Sequence, residues 1–477
     1  MLPRPDAKTI DRKRRMSLPH QPVPKQGAAA RIGNFEEVYR PYDAEAAITE
    51  AMRCIQCPAA PCAKACPLHS DIPLALWQLE NGLFEHSAIV FRRTNTMSEV
   101  CGRVCPQTAQ CEGACIYVKK GKPPVAIGRL EAFVADYQAA QGSRDTVTAA
   151  PTGHRVAVVG AGPAGLTVAQ LLAKRGHFVT VFDVWPSGGG IMRYGIPKFK
   201  MDHTIVDDLL NYTERLGVEF VYGIRIGVDI SVDELFEQAY EAVFLGVGAG
   251  VPVDPKIPGS DLDGVYNATP FLIRCNVDDD FRPPGLRGTP DIGKKVAVIG
   301  GGDTAMDCAR TAVRLGAERV VCVYRRTEAE MPGNERDRAL AREEGVEFEW
   351  LTQPIRFTGD EEGHINEMGC VRMELREPDD SGRRRPVPVE GSEFTMTVDS
   401  VILALGYWPD PLMGESTPGL ETRDWGLINV AAQTGETSRP GIFAGGDAVA
   451  GPDLVITAVA QGRRAAEAMH AFLIARH

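Results

Sequence analysis

The sequence predicts an α/β protein: a small helical N-terminal domain, then two Rossmann-like nucleotide domains, the second inserted in the first. Three observations predict it. Eight of the twelve cysteines fall between residues 54 and 115. A short apolar strand, Arg155–Val159, runs into the loop Gly160-Ala161-Gly162-Pro163-Ala164-Gly165. The same plan recurs at Lys295–Ile299, followed by Gly300-Gly301-Gly302-Asp303-Thr304-Ala305. Two strand–glycine-loop–helix units in one chain imply two doubly wound domains.

The chain begins with a Pro-rich, basic stretch over residues 1–40, in which Arg12, Lys13, Arg14 and Arg15 are consecutive. It reads as a solvated arm, or more sharply as a docking arm for an acidic partner. The 477 residues are 44% hydrophobic and 24% charged, the make-up of a soluble globular chain with room for two to four domains. A net charge of −11 argues against nucleic acid as the main partner. No run of about eighteen apolar residues is present, so no membrane-spanning helix is expected. With no export signal, a cytoplasmic location follows.

The helical domain is placed at 41–150, with helices over Ile72–Asn81 and Ala126–Ala139 and a polar linker over Gln141–Gly153. Its cysteines form two runs. Cys54, Cys57, Cys62 and Cys66 are spaced C-x2-C-x4-C-x3-C-P; Cys101, Cys105, Cys111 and Cys115 are spaced C-x3-C-P-x4-C-x3-C. Disulfides suit small secreted chains, and structural zinc usually pairs C-x2-C with a second C-x2-C or with histidines. A C-x2-C closely followed by two more cysteines, the last before Pro67, instead resembles a bacterial ferredoxin run, where the fourth cysteine serves the other cluster. The eight thiols therefore predict two [4Fe-4S] clusters. One is on Cys54, Cys57, Cys62 and a second-run cysteine; the other is on Cys66 with second-run thiolates. Cys275, Cys308, Cys322 and Cys370 are scattered and read as small core residues.

The first nucleotide domain is placed at 151–290 with its return at 406–477. After the loop Gly160–Gly165 comes a helix to Arg175 and a strand His177–Asp183. Gly160, Gly162 and Gly165 allow the tight turn and the backbone approach to a pyrophosphate; Pro163 and Ala164 open the helix whose N-terminus faces it. Asp183 is placed to accept from ribose hydroxyls, although flavoenzymes more often carry Glu there. Gly189 and Gly190 follow, with Arg193 as a candidate phosphate partner. Farther on, Gly441–Ala448 is a strand ending in Gly445-Gly446-Asp447. Gly446 and Asp447 suit a ribityl chain, and a helix beginning near Leu454, with Thr457 in its first turn, would face the flavin ring. This points to FAD rather than NAD.

The inserted domain is placed at 291–405. Gly300, Gly302, Asp303 and Thr304 form its glycine loop, followed by a helix to Leu315 and a strand ending Val323-Tyr324-Arg325-Arg326. An NAD site wants an acid at that strand end. Arg325 and Arg326 suit a 2′-phosphate instead, which favours NADPH. Asp303 reads either as a helix cap or as a ribose ligand, and Glu330-Met331-Pro332 as a border of the nicotinamide ribose.

The order of motifs carries a resemblance. It runs from the cysteine domain through Gly160–Gly165, Ala242–Gly250 (AVFLGVGAG), Gly300–Asp307 and Val401–Pro409 (VILALGYWP) to Gly445–Asp447. End to end it resembles the small (β) subunits of bacterial NADPH-dependent glutamate synthase. It is also similar to the N-terminal region of dihydropyrimidine dehydrogenase and to ferredoxin–NADP transhydrogenase subunits. The nucleotide domains resemble the disulfide-reductase flavoproteins, but no C-x2-C or C-x4-C occurs between residues 151 and 290. The resemblance implies one cluster on Cys54, Cys57, Cys62 and Cys115. It implies a second on Cys66, Cys105 and Cys111 with Glu131 as fourth ligand, leaving Cys101 over; counting thiols alone favours Cys101. It further implies hydride transfer from NADPH to FAD with no catalytic acid or base, then single electrons through the clusters. In the resembling enzyme they reach an FMN-containing large α subunit that makes two glutamates from glutamine and 2-oxoglutarate. That enzyme's glutamine hydrolysis uses an N-terminal cysteine; this chain starts Met1-Leu2-Pro3, with no residues left over for a substrate barrel. Electrons are therefore expected to leave to a partner. A transhydrogenase or pyrimidine-reducing partner is the alternative, and a non-enzymatic docking scaffold a further one.

Overall fold

A computed structural model describes residues 1–6, 8–378 and 382–475, so the expected limit at residue 477 lies outside the described residues. Between residues 44 and 140 the chain is helical: Ala44–Met52, Pro61–Ala65, Ile72–Glu80, Phe84–Arg92, Ser98–Val104 and Ile127–Ala140. Ile72–Glu80 starts where Asp71 accepts from Leu74 N and ends at Gly82, whose φ is +74°. It buries Ile72, Leu74, Leu76 and Leu79 against the neighbouring helices. Apart from Cys101, in the middle of Ser98–Val104, the cysteines of the two runs sit at or between the ends of these short helices.

The arm is largely exposed, yet it is docked at defined points. Arg15 pairs with Glu80 at 2.6 Å, Val38 N donates to Phe199 O at 2.9 Å, and Arg31 is fully buried against Glu344 at 2.7 Å. Its arginines meet carboxylates far away in sequence, a pairing that local composition does not reveal. Lys13 and Arg14 alone of its basic run are exposed. The linker 141–153 is irregular as expected, yet Arg144 lies on the Tyr212 ring and donates to Thr96 O at 2.9 Å.

The first sheet contains β1 (Arg155–Val159), β2 (Phe178–Asp183), β3 (Glu219–Tyr222) and β4 (Ala242–Leu245). The chain then crosses by β5 (Val251–Pro252) into β6 (Val265–Asn267), β7 (Lys295–Ile299), β8 (Arg319–Tyr324) and β9 (Glu347–Trp350). An antiparallel excursion follows: β10 (Thr352–Gly359), β11 (Ile365–Pro378), β12 (Arg384–Pro388) and β13 (Phe394–Thr397). After β14 (Ser400–Leu403) the chain returns by β15 (Tyr407–Trp408), which pairs antiparallel with β5, and ends in β16 (Ile442–Ala444). The sheets run β16-β4-β1-β2-β3 and β6-β14-β7-β8-β9, both parallel, so the second fold is nested inside the first.

β6 corrects the expected boundary at 291. It is an edge strand of the second sheet, and the helix Ala268–Asn276 behind it packs Phe271 and Leu272 against Met306 and Ala309. The insert therefore begins just after β5. A three-residue strand carries too little period to be seen in sequence. In the first fold the helices Pro163–Lys174 and Val455–Ile474 share one face of the sheet. Gly462 lets them touch: a Cβ there would lie 2.6 Å from Ala164 O. Among the described residues no helix is long and apolar enough to cross a membrane.

Candidate cofactor and cluster sites

All twelve cysteines are free thiols, which removes the disulfide reading. Cys54, Cys57, Cys62 and Cys115 line one small cavity, walled by Ile72 and Leu76. Burial pushes Cys54 up, and burial with the neighbouring Cys115 pushes Cys62 up to about 12. These thiols stay protonated until a metal takes the proton's place, as metal ligands do. Cys66, Cys105 and Cys111 form the second group. Burial raises Cys66 and Cys111, and the Cys101 hydrogen bond followed by burial raises Cys105; the charge of Glu131 adds to each, and Cys66 and Cys62 add to Cys111, so the groups adjoin.

Glu131 is half-buried, and desolvation pushes its carboxyl to about 7 against a hydrogen bond from Asn95 at 2.8 Å. Cys101, 1% exposed, shares a thiol–thiol hydrogen bond with Cys105. Among the described residues no three His, Cys, Asp or Glu side chains converge on a single ion. A four-iron cluster asks instead for thiols spread around a larger body. The donor set of thiols with one carboxyl fits such clusters.

The first glycine loop is tightly made. Gly160 has φ +99°, and a Cβ there would lie 2.4 Å from Gly246 O; at Gly165 it would lie 1.9 Å from Gly160 O. Gly162 is different, with only the Gly190 Cα at 4.0 Å, leaving open space beside the N-terminus of Pro163–Lys174. Gly189 and Gly190 have φ +116° and +50° and fold back over the loop. Asp183 ends β2 and turns inward: it accepts from Ala161 N at 2.7 Å and Trp185 N at 2.9 Å. Its short side chain fastens the loop, leaving one lone pair per oxygen for a ribose. Arg193 departs from expectation. It is 1% exposed, donates to Gly188 O at 3.1 Å, pairs with Asp207 and lies over Phe281, so it buttresses the loop rather than waiting for phosphate.

Gly446 is brought to this loop, since its added Cβ would lie 3.1 Å from Ala164 Cβ, and its N–H donates to Gln461 at 2.8 Å. Asp447 opens the short helix Asp447–Ala450, with Gly446 rather than Asp447 as the cap. Burial, with the charge of Asp453 adding, pushes its carboxyl to about 7. A half-buried, partly desolvated acid beside an open cradle fits a hydroxyl-rich ligand. Thr457 lies in the first turn of Val455–Ile474, its hydroxyl bonded to Leu454 O at 2.6 Å.

In the second loop Gly300 has φ +143°, and a Cβ would lie 2.3 Å from Ala404 O. Gly302 meets nothing within 4 Å and caps the helix Asp303–Arg314, with Thr304 in its first turn. Asp303 is not the helix cap, which is Gly302; its Oδ1 accepts from Asn334 N at 2.6 Å. With Gly333 N bonded to Gly301 O at 3.1 Å, it ties the 330s loop to the glycine loop. Arg325 is exposed at the end of β8, but Arg326 is 4% exposed and donates to Arg384 O at 2.7 Å. The expected arginine pair is therefore split. Arg384, on β12, replaces Arg326 at that surface and pairs with Glu330, which also closes a capping box with Thr327.

Sequence reasoning missed the residues that join the parts. Lys200 bonds Asp307 and Asp337 at 3.0 Å each across the two nucleotide folds. Arg336 reaches Gln107 and Glu112 at 3.1 Å each, beside the second cysteine group. No local motif marks either.

Residues 31–143 match the family described as dihydropyrimidine dehydrogenase domain II, 4Fe-4S cluster, and residues 154–462 match pyridine nucleotide-disulphide oxidoreductase. The chain is 41% identical to the glutamate synthase [NADPH] small chain of Halomonas elongata, over 94% of this chain and 95% of that one. It is 39% identical to the NADP(+)-dependent formate dehydrogenase subunit beta of Moorella thermoacetica, over 87% of this chain and 60% of the other. Among solved structures it shares its fold with Mycobacterium tuberculosis FprA in complex with NADPH, at TM-score 0.57 and 22% identity, over 68% of this chain and 85% of that one.

Proposed function

The chain belongs to the pyridine nucleotide-disulphide oxidoreductases, in the branch of the NADPH glutamate synthase small chains; from that premise we propose that it feeds electrons from NADPH to a glutamate synthase large subunit. Bound FAD supplies hydride acceptance, and two [4Fe-4S] clusters supply one-electron transfer. The chain's own residues hold and orient these groups. The amides at the start of Pro163–Lys174 face the flavin pyrophosphate, and Asp447 accepts from the ribityl hydroxyls. The N-terminus of Val455–Ile474 places positive potential beside the ring. The second glycine loop and Arg325 hold NADPH. Hydride transfer needs no proton at the reacting carbon, so no side chain is assigned as acid or base.

The observation that carries this reading is the placement of the cysteine domain. Its second group sits behind Asn95 and Thr96, and Thr96 bonds Thr167 at 3.0 Å on the very helix that follows the first glycine loop. The partner is the large subunit that turns glutamine and 2-oxoglutarate into two glutamates, and the complex works in the cytoplasm. A second reading, the same input module serving another acceptor, is favoured by the likeness to a formate dehydrogenase subunit.

The test is anaerobic NADPH titration of the loaded chain with and without its large-subunit candidate. Glutamate formed only with both chains supports the first reading. Flavin bleaching without glutamate moves the assignment to the second, and no bleaching rejects both.

A further inference from the structure

We propose that the face over Cys54, Cys57, Cys62 and Cys115 is the electron exit, and that it docks an acidic surface of a one-electron redox protein. The proposal rests on the NADPH-oxidising reading above. The two cysteine groups differ in place. Cys66 and Cys105, 7% and 8% exposed, and the half-buried Cys111 lie toward the first nucleotide fold, where Thr96 meets Thr167 and Arg463 donates to Arg93 O at 3.2 Å. The cysteines of the first group, all half-buried, line the cavity on the side away from that contact. Electrons arriving from the nucleotide side reach the inner group first, so an acceptor must approach the outer one.

That outer face is cationic in an acidic chain. Its four cysteines lie in segments 53–70 and 113–126, which contain no Asp or Glu but carry Arg53, Lys64, Lys119, Lys120 and Lys122, in a chain of net charge −11. Arg53 is buried against Glu50; the four lysines are exposed. The helix Arg12–Ser17 adds to the same rim. Arg15 donates to Cys54 O at 2.9 Å, Tyr117 to Arg15 O at 3.0 Å and Lys122 to Met16 O at 3.1 Å, which carries Lys13 and Arg14 to the edge of the group. The nearby acids are engaged: Asp11 caps that helix, Glu80 holds Arg15 and Asp71 holds Arg4.

Lys13, Arg14, Lys64, Lys119 and Lys120 have no acidic partner among the described residues. Beside them Val118 is 44% exposed. Unpaired cations around a small apolar spot make a surface for a steered, short-lived encounter with an acidic protein. The electrons balance simply: each NADPH oxidised gives NADP+, one proton and two electrons, which reduce two acceptor molecules.

The experiment uses the full, cofactor-loaded chain with NADPH and two probe acceptors, acidic cytochrome b5 and basic cytochrome c. The variants are K119E/K120E and K13E/R14E. Expected is faster reduction of cytochrome b5 that falls as salt rises, and a loss of roughly tenfold or more in K119E/K120E. Anaerobic flavin bleaching by NADPH should match the unsubstituted chain in both variants. Equal rates with both cytochromes at all salt concentrations, or a cytochrome b5 rate indifferent to the variants, would overturn the proposal. So would substitutions that abolish binding to phosphatidylglycerol vesicles while sparing the cytochrome b5 rate, since the rim would then belong to a membrane. No bleaching in the unsubstituted chain would reject the NADPH reading itself, and this one with it.

Discussion

Replacing Glu344 by Gln removes one charge from a site where three arginines converge. The carboxylate meets Arg31 at 2.7 Å, Arg310 at 2.9 Å and Arg314 at 2.7 Å, and all four side chains are 0% exposed. Burial by itself would raise the Glu344 carboxyl; hydrogen bonds from Arg314 and Arg310 outweigh it and hold the group at about 2. Against its ordinary 4.5, that is worth about 3 kcal/mol to the folded chain at neutral pH. The folded value lies below the unfolded one, so this contribution is complete above about pH 4.5 and fades as pH falls toward 2. The arginines share one carboxylate unequally. Arg310 is held above its ordinary value despite burial, whereas burial, with Arg310 and Arg31 alongside, takes Arg314 below its own. Without the carboxylate Arg314 loses its acidic partner while Arg31 keeps Glu343 at 2.9 Å and Arg310 keeps Asp337 at 3.3 Å, and the expected cost is about 3 kcal/mol. Because Arg31 belongs to the N-terminal stretch, the loss should appear first as release of residues 25–40. Urea unfolding followed by tryptophan fluorescence, with protease mapping at pH 7, reads both effects. The gap between Glu344→Gln and the unsubstituted chain should narrow near pH 3. A midpoint within about 0.5 kcal/mol of the unsubstituted chain and an uncut N-terminal stretch would refute the reasoning.

Glu131→Ala should lower bound iron by about half and change the spectrum of the remaining iron–sulfur signal, while Cys101→Ser leaves iron content unchanged; iron analysis with electron paramagnetic resonance separates the two ligand sets. Gly300→Ala should lower the melting temperature, because its Cβ meets Ala404 O; Gly302→Ala should melt normally yet bind NADP+ more weakly, as seen by calorimetry. Asp447→Asn should stabilise the flavin-free chain above pH 7. Its acid is raised to about 7 by burial, so ionisation opposes folding as pH climbs past the unfolded value, and Asn never ionises. The same variant should retain less flavin after gel filtration, and equal flavin retention would remove Asp447 from the ribityl site.

The strands at β1 and β7 were readable to the residue, because an apolar run into a glycine loop has few other uses. Spacing together with family likeness grouped Cys54, Cys57, Cys62 and Cys115, which the structure brings around one cavity. Other features were not. β6 is three residues long, and β10–β13 form an antiparallel excursion with no motif to announce it. Arg193 and Arg326 misled because residue type suggested a phosphate, whereas each had a partner distant in sequence: Asp207 for one and the Arg384 carbonyl for the other. Lys13–Arg15 read as one basic run, but only Arg15 found an acid, Glu80, and turned inward. Such partners are set by tertiary proximity, which local pattern does not encode.

β16 comes nearly two hundred residues after its neighbour β4, with the whole nested fold between them. During synthesis the inner sheet is complete once β14 has emerged, while the outer sheet still lacks its edge, and Gly446 and Asp447 have yet to be made. At about 5–20 residues per second, the stretch from β4 to β16 takes on the order of ten to forty seconds. The inner fold can thus form while the outer one waits as an open, parallel sheet of four strands. Flavin loading becomes a late, essentially post-translational event, and chaperones have a defined interval in which to guard the exposed edge of β4.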